Sequence, residues 1–410
     1  MGLLRHRGFL LLFGADTISQ VGTQVSMVAL PLVAVVALRA SPFEMGLLVA
    51  AETAAFLLIG LPAGVWVDRL RRRPILITGD LARAALLASV PVAWWLGVLS
   101  MPQLYVVGLC VSVATVFFDV AYQSYLPSLV ERDRIVEGNA KLEIVRSGAQ
   151  VAGPGAAGWL VHLVTAPVAI LVDAVSFLLS GLLLAGIKGD SDTPARDERR
   201  GLVREIGEGL AFVLRHPILR MIAACTASAN LANAMNNALA VLFLINVVGV
   251  SPGVMGLLFS AAGVGGLAGA ALVGPVSRWA GSARTIWLSA LLTSPFMLLV
   301  PLAAQGWRLG LYVLAWFVVS AGIVVYNVSQ LSFRQAITPD HLLGRMNATM
   351  RFIVWGTLPL GALIGGVLGE RLGVVAALWI ACALSPLSVI PLLLSPLRTM
   401  RDLPQQPPGR

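Results

Sequence analysis

SPFEMGLLVA, residues 41–50, comes back as SPGVMGLLFS at residues 251–260. Ser-Pro and Met-Gly-Leu-Leu stand in the same order 210 positions apart, and Arg5-His6 returns as Arg215-His216 at the same distance. A second set of matches runs at a spacing of 208: Asn139-Ala140, Gly148, Gly153 and Gly158 recur as Asn347-Ala348, Gly356, Gly361 and Gly366. At that spacing Asp119 also meets Asn327, and Ser124 meets Ser332. Matches that keep their order at a nearly constant offset point to a chain made of two copies of one unit.

What is copied is a series of apolar segments. Of the 410 residues 58% are hydrophobic and 12% charged, and the mean hydropathy is +0.85. A water-soluble chain of this length carries about 25% charged residues on its surface, so the solvent here is lipid. Segments long enough to cross a bilayer as helices are expected at about 10–38, 44–66, 75–97, 102–124, 144–163, 167–187, 218–247, 254–276, 285–305, 309–331, 348–369 and 374–396. The runs are continuous rather than alternating, which selects helices over barrel strands. An even number of spans in each copy inserts both copies the same way up, a parallel repeat. The expected fold is therefore all-α, with twelve transmembrane helices in two six-helix halves, 1–187 and 218–397. Between them, 188–217 reads as a cytoplasmic linker. Its first part, GDSDTPARDERR, is charged and flexible. Its second part, GLVREIGEGLAFVLRHP, sets Leu202, Ile206, Leu210 and Val213 on one face, as in a helix lying on a membrane surface. The Pro-rich end, 398–410, is expected to be a disordered cytoplasmic tail.

The net charge of +9 is distributed by side. If both ends are cytoplasmic, that face receives Arg5, Arg7, Arg69, Arg71, Arg72, Arg73, Arg132, Arg134, Lys141, the cluster from Lys188 to Arg215, Arg278, Arg284, Arg334, Arg345, Arg398 and Arg401. The outer loops keep little beyond Arg39, Arg308 and Arg371. This is the positive-inside pattern. Arginines scattered over span-flanking loops set topology and do not form a nucleic-acid surface. The two lysines against 27 arginines, with abundant Ala, Gly and Val, suggest a GC-rich bacterial source. The first apolar stretch lacks a small-residue cleavage site and reads as a retained helix. The expected location is thus a bacterial cell membrane, crossed many times.

Chemistry of the enzymatic kind is missing from the pattern. Cys110, Cys225 and Cys382 all fall inside spans at spacings that suit neither a disulfide framework nor a metal site. His6, His162, His216 and His341 sit at span ends and form no ligand pair. No Gly-x-x-x-x-Gly-Lys-Ser/Thr loop exists to cradle ATP phosphates. No cofactor, metal or enzymatic activity is expected.

Local strings give a resemblance. GVWVDRLRRRP, residues 64–74, resembles the motif of the major facilitator superfamily between its second and third spans, with Gly64, Asp68, Arg69, Arg72 and Arg73 in place and Arg71 where the family has a second glycine. FGADTISQVGTQV, GDLARA, FFDVAYQSYLPSLV and DAVSFLLSG are similar to the drug:proton antiporter branch that includes macrolide and enterobactin exporters. Gly148, Gly153, Pro154 and Gly158 resemble the antiporter Gly-Pro-x-x-Gly-Gly motif, with Ala157 in place of one glycine. The resemblance implies alternating access, with Asp68 and its arginines as a gate on the cytoplasmic side.

Polar stripes mark a path. Asp16, Gln20 and Gln24 lie at i, i+4 and i+8 on span 1; Ser112, Thr115, Asp119 and Gln123 share a face of span 4; Thr226, Asn230, Asn233 and Asn237 share one of span 7; Ser320, Asn327, Gln330 and Arg334 roughly share one of span 10. Spans 1, 4, 7 and 10 line the cavity in the resembled family. Each stripe reads either as cavity lining or as hydrogen-bonding glue between helices. Asp16, Glu52, Asp119 and Asp173 are the acids at depth and the candidates for carrying a proton, with Asp16 and Glu52 foremost. Asp80 and Asp119 also read as partners of Arg83 or Arg146. The expected activity is proton-coupled export of an amphipathic small molecule, such as a drug, secondary metabolite or siderophore, by a monomer. A facilitator or symporter for another solute, and a non-transporting scaffold or sensor, are the alternatives.

Overall fold

The computed structural model describes residues 3, 6–68, 70–130, 134–187 and 202–402. Helices carry the chain, and no strand occurs among the described residues. In order they are α1 (Arg7–Leu32), α2 (Pro42–Leu58), α3 (Gly60–Asp68), α4 (Arg72–Trp95), α5 (Met101–Leu129), α6 (Ile135–Val164), α7 (Ala166–Ala185), α8 (Leu202–Arg215), α9 (Pro217–Leu242), α10 (Pro252–Ala280), α11 (Ser282–Thr293), α12 (Leu309–Ile337), α13 (Asp340–Trp355), α14 (Thr357–Leu372), α15 (Val374–Leu387) and α16 (Ile390–Leu393).

Ten stretches are long and apolar enough to cross a membrane: Arg7–Ala37, Arg72–Trp95, Met101–Gln123, Ala166–Ala185, Pro217–Val248, Pro252–Ala280, Ser282–Leu302, Gly306–Ile337, Leu342–Leu372 and Val374–Leu393. Each falls within a few residues of an expected span. The two further expected spans correspond to α2–α3 and α6. The former is interrupted at Ile59, whose backbone leaves the helical region (φ −127°, ψ −1°). The latter is helical throughout but diluted by Gly, Pro, Gln and His. Large apolar side chains such as Trp95, Leu163, Trp279 and Leu394 stand exposed on the outside, as they do where lipid is the solvent.

Contacts group the chain into two compact units, one of 1–197 with 244–260, the other of 198–243 with 261–410. In the first, α1 packs on α6 and α7, and α4 packs on α5 and α7. In the second, α9 packs on α14 and α15, and α11 packs on α12. α8 rests on α13 and α9. A Cβ on Gly209 would strike the Arg345 carbonyl and the Thr349 side chain. Glu208 pairs with Arg345 at the same crossing, and Val213 is fully covered. The side chains of Leu202 and Ile206 lie outside the described residues. So do linker residues 188–201 and tail residues 403–410. The first residues of the expected tail hold to α11: the Arg401 carbonyl accepts from the amides of Ala283 (3.1 Å) and Arg284 (3.3 Å), and Asp402 Oδ1 accepts from Ser282 N at 3.1 Å. They satisfy donors that a helix start leaves open.

The sequence repeat has counterparts in backbone detail. α1 and α9 both run into a π-turn, at Val33–Ala37 and Phe243–Val248. Both begin at a histidine cap: His6 Nδ1 accepts from Phe9 N at 3.2 Å, and His216 Nδ1 from Ile218 and Leu219 N at 3.3 Å. Ser41 caps α2 in a reciprocal box with Glu44, and Ser251 Oγ accepts from Val254 N at 3.4 Å. The α6–α7 and α14–α15 junctions turn on Thr165 (φ 87°) and Gly373 (φ 85°). Positive φ is easy for glycine and strained for a β-branched threonine.

Candidate functional site

In the first unit, α1 supplies the acid of the predicted stripe. Asp16 is 7% exposed. Gln20 and the Tyr122 hydroxyl of α5 lie beside its carboxylate, and the charges of Arg146 and Glu143 on α6 reach it. A buried carboxylate with a hydroxyl and an amide beside it, close to one cation and one anion, is a group whose protonation state responds to small changes around it. Gln24, the third residue of the stripe, is buried. Its side chain fills the space that Gly153 of α6 leaves free, where a Cβ would overlap it.

The glycine motif on α6 divides by what each member touches. Gly158 lies against the Pro252 carbonyl and the backbone of Gly256 on α10, and Gly256 lies in turn against the Pro154 carbonyl. Gly155 N donates to Ser260 Oγ at 3.1 Å. These residues all belong to the first unit. Close backbone approach is the reason small residues are needed there. Gly148 faces open space and takes no part in the crossing.

The other acids go to different places. Glu52 on α2 is half-buried against Gly108 of α5, 3.1 Å from where a Cβ would stand. It has no polar partner among the described residues. Asp119 on α5 is half-buried, with a polar partner. Asp173 on α7 is 1% exposed and accepts from Ser176 Oγ at 3.0 Å. It joins not Asp16 but a separate group around Arg83 on α4, which is ion-paired with Asp80. Thr115 is half-buried on α5.

In the second unit the polar stripe separates into two classes. Thr226 is bonded to Tyr326 Oη at 2.7 Å, and Asn230 Nδ2 donates to the Val354 carbonyl at 3.1 Å. These two bind helices to one another. Asn233 is half-buried, Asn237 and Asn327 are exposed, and none of the three has a polar partner among the described residues. A residue that sequence reasoning passed over, Asn236, is fully buried and donates from Nδ2 to Cys382 Sγ at 3.3 Å. Its position off the stripe, next to Asn237, hid it.

Of the motif expected to form a gate, Arg73 has defined contacts. Its Nε and Nη2 donate to the carbonyls of Leu184 (3.3 Å) and Ala185 (2.6 Å), closing the C-terminal end of α7. Arg72 is half-buried with a polar partner. Arg69, the surroundings of Gly64 and the side chain of Asp68 lie outside the described residues. Among the described residues, no group of three His, Cys, Asp or Glu side chains could hold a metal ion.

Comparison with known proteins gives this geometry a context. The profile of the Major Facilitator Superfamily matches residues 12–359. The uncharacterised MFS-type transporter YfiS of Bacillus subtilis (strain 168) is 25% identical over 405 residues, covering 95% of this chain and 93% of its own. The multidrug efflux pump Tap of Mycolicibacterium fortuitum is 27% identical over 415 residues, covering 97% and 98%. Among solved structures, a variant of the nucleoside transporter NupG superposes with a TM-score of 0.79 at 12% identity, covering 94% of this chain and 99% of its own. A bacterial homologue of the iron transporter ferroportin gives 0.75 at 16% identity, covering 96% and 99%. At such identities the two structures share the fold.

Proposed function

Because this chain belongs to the Major Facilitator Superfamily and is a multi-pass integral membrane transporter rather than an enzyme, we propose that it exports an amphipathic small molecule in exchange for protons. The observation that carries the reading is Asp16, a carboxylate at depth on α1, buried beside Gln20 and Tyr122 and within reach of Arg146. Such a group can take a proton from one side and release it when the site opens to the other. Glu52, with no polar partner among the described residues to hold its charge, is the second coupling acid. Among the described residues the amides of Asn233, Asn237 and Asn327 have no partner, which is costly against lipid and useful along a wet path. The efflux-pump relatives support the drug-like substrate class. The exporter is a monomer of twelve spans in a bacterial cell membrane, with both ends cytoplasmic. Transport proceeds by alternating access.

A proton crossing the membrane potential supplies about 2.3 kcal/mol per 100 mV, enough to move a solute uphill. The test is flux of an amphipathic fluorescent dye in proteoliposomes under an imposed pH gradient. Wild-type flux is expected to follow the gradient, and Asp16→Asn and Glu52→Gln each to lower gradient-driven flux at least about tenfold, a barrier change of about 1.4 kcal/mol. Flux indifferent to the gradient refutes proton coupling; full flux in both variants moves the coupling acid elsewhere.

A further inference from the structure

The group around Arg83 does not add up to zero charge. Asp80, Arg83 and Asp173 are 0%, 5% and 1% exposed. Asp80 Oδ1 pairs with Arg83, while its Oδ2 is buried without a hydrogen-bond partner among the described residues. Arg83 Nε donates to the Gly79 carbonyl at 3.4 Å. The guanidinium carbon lies 4.2 Å from the Phe118 ring centre on α5 and 4.1 Å from that of Phe177 on α7. Two aromatic faces thus hold the cation and keep water from it. The Asp173 charge faces the same guanidinium. Asp173 is bonded to Ser176 and flanked by Ser26 of α1. Gly22 of α1 is pressed so close that a Cβ would overlap Asp173 and Ser176. Ser180 of α7 lies by Asp80.

The charges that face the group can be named element by element. α4 brings Asp80 and Arg83, and α7 brings Asp173. α5 brings Asp119, which also faces Arg83 but is half-buried. α1 brings hydroxyl and glycine. Two dry carboxylates therefore share one dry guanidinium. A net charge of −1 enclosed among four helices at membrane depth carries a desolvation penalty of several kcal/mol. A buried acid escapes such a penalty by taking up a proton.

We propose that Asp80 and Asp173 hold one proton between them against Arg83, a resident proton site enclosed by α1, α4, α5 and α7. With the proton in place the cluster is neutral: one carboxylate balances the guanidinium, and the other is a carboxylic acid. Two nearby hydroxyl oxygens, on Ser26 and Ser180, have no partner among the described residues and can accept from the acid O–H. The site is separate from Asp16 and Glu52, and its existence does not depend on what drives transport.

The test is the infrared carbonyl stretch of protonated carboxyl groups in purified protein reconstituted in lipid at neutral pH. The background carries Asp16→Asn and Glu52→Gln, so that neither of those acids contributes. One carboxyl per chain is expected, insensitive to raising the pH to where exposed acids are fully ionised. Asp80→Asn alone and Asp173→Asn alone are each expected to abolish the band, because the remaining carboxylate then pairs one-to-one with Arg83. Arg83→Leu is expected to double it, since both acids must then be neutral. A band absent from the background protein, or one that survives both Asn variants, overturns the site. A band lost in one Asn variant only assigns the proton to a single acid and overturns the sharing. If a variant does not fold, the background protein decides by itself: a carboxyl band that titrates away with the exposed acids refutes a buried proton. The dye-flux experiment reads Asp16 and Glu52 and this one reads Asp80 and Asp173, so either can fail alone.

Discussion

Glycines that look alike in the sequence differ in what surrounds them. Gly148 and Gly158 belong to one motif and one repeat, yet a Cβ on Gly158 would strike the backbone of α10 and one on Gly148 would meet nothing within 4 Å. Gly158→Ala is expected to destabilise the protein by about 1–3 kcal/mol, the usual range for overpacking. Gly148→Ala is expected to be neutral or to gain up to about 1 kcal/mol from helix propensity. Melting in one detergent compares them. The asparagines of α9 divide in the same way. Asn230→Ala loses a bond to the Val354 carbonyl and is expected to cost about 0.6–1 kcal/mol. Asn233→Ala loses no bond and is expected to leave melting unchanged while lowering dye flux. The sequence placed these asparagines on one face, because helical periodicity reports direction from the axis. It does not report which neighbour is met in that direction, and that separates glue from lining.

Elements were legible where composition is uniform. The ten long apolar stretches sit where hydropathy put them. The break at Ile59 was passed over although Gly60 and Pro62 follow it, because the apolar run continues through them. The histidine caps did not show either, because His is not a preferred cap residue. They carry a pH consequence. His216 accepts amides at Nδ1, which only the neutral ring can do, and burial pushes its pKa below the usual value of about 6.5. A lowered pKa means that the fold favours the neutral ring. The cap's contribution is therefore complete above the unfolded value and is lost as pH falls through the folded one. Wild type is expected to lose melting temperature on acidification more steeply than His216→Asn, which caps without titrating. Equal slopes would deny the cap its role. Arg73→Gln, which uncovers the end of α7, is expected to cost about 0.3–1 kcal/mol at any pH in that range. The Glu208–Arg345 pair, with its side chains 39% and 21% exposed, is expected to contribute less than about 1 kcal/mol, and less again in high salt.

For the whole molecule, the repeat was the most informative line of the sequence, and the Arg83 group the least visible. GDLARA and DAVSF could be read as family strings, and Arg83 as a partner for Asp80. That Asp173, some 90 residues away, faces the same cation follows from how α4 and α7 pack, and no local pattern encodes it. The π-turns closing α1 and α9, Val33–Ala37 and Phe243–Val248, begin 210 positions apart, the spacing of the Ser-Pro and Met-Gly-Leu-Leu matches. In a π-turn each amide bonds five residues back instead of four, so the turn holds one residue more than the α-helix it closes. The matching stretches of sequence therefore share a departure from regular helix as well as a pattern of residues.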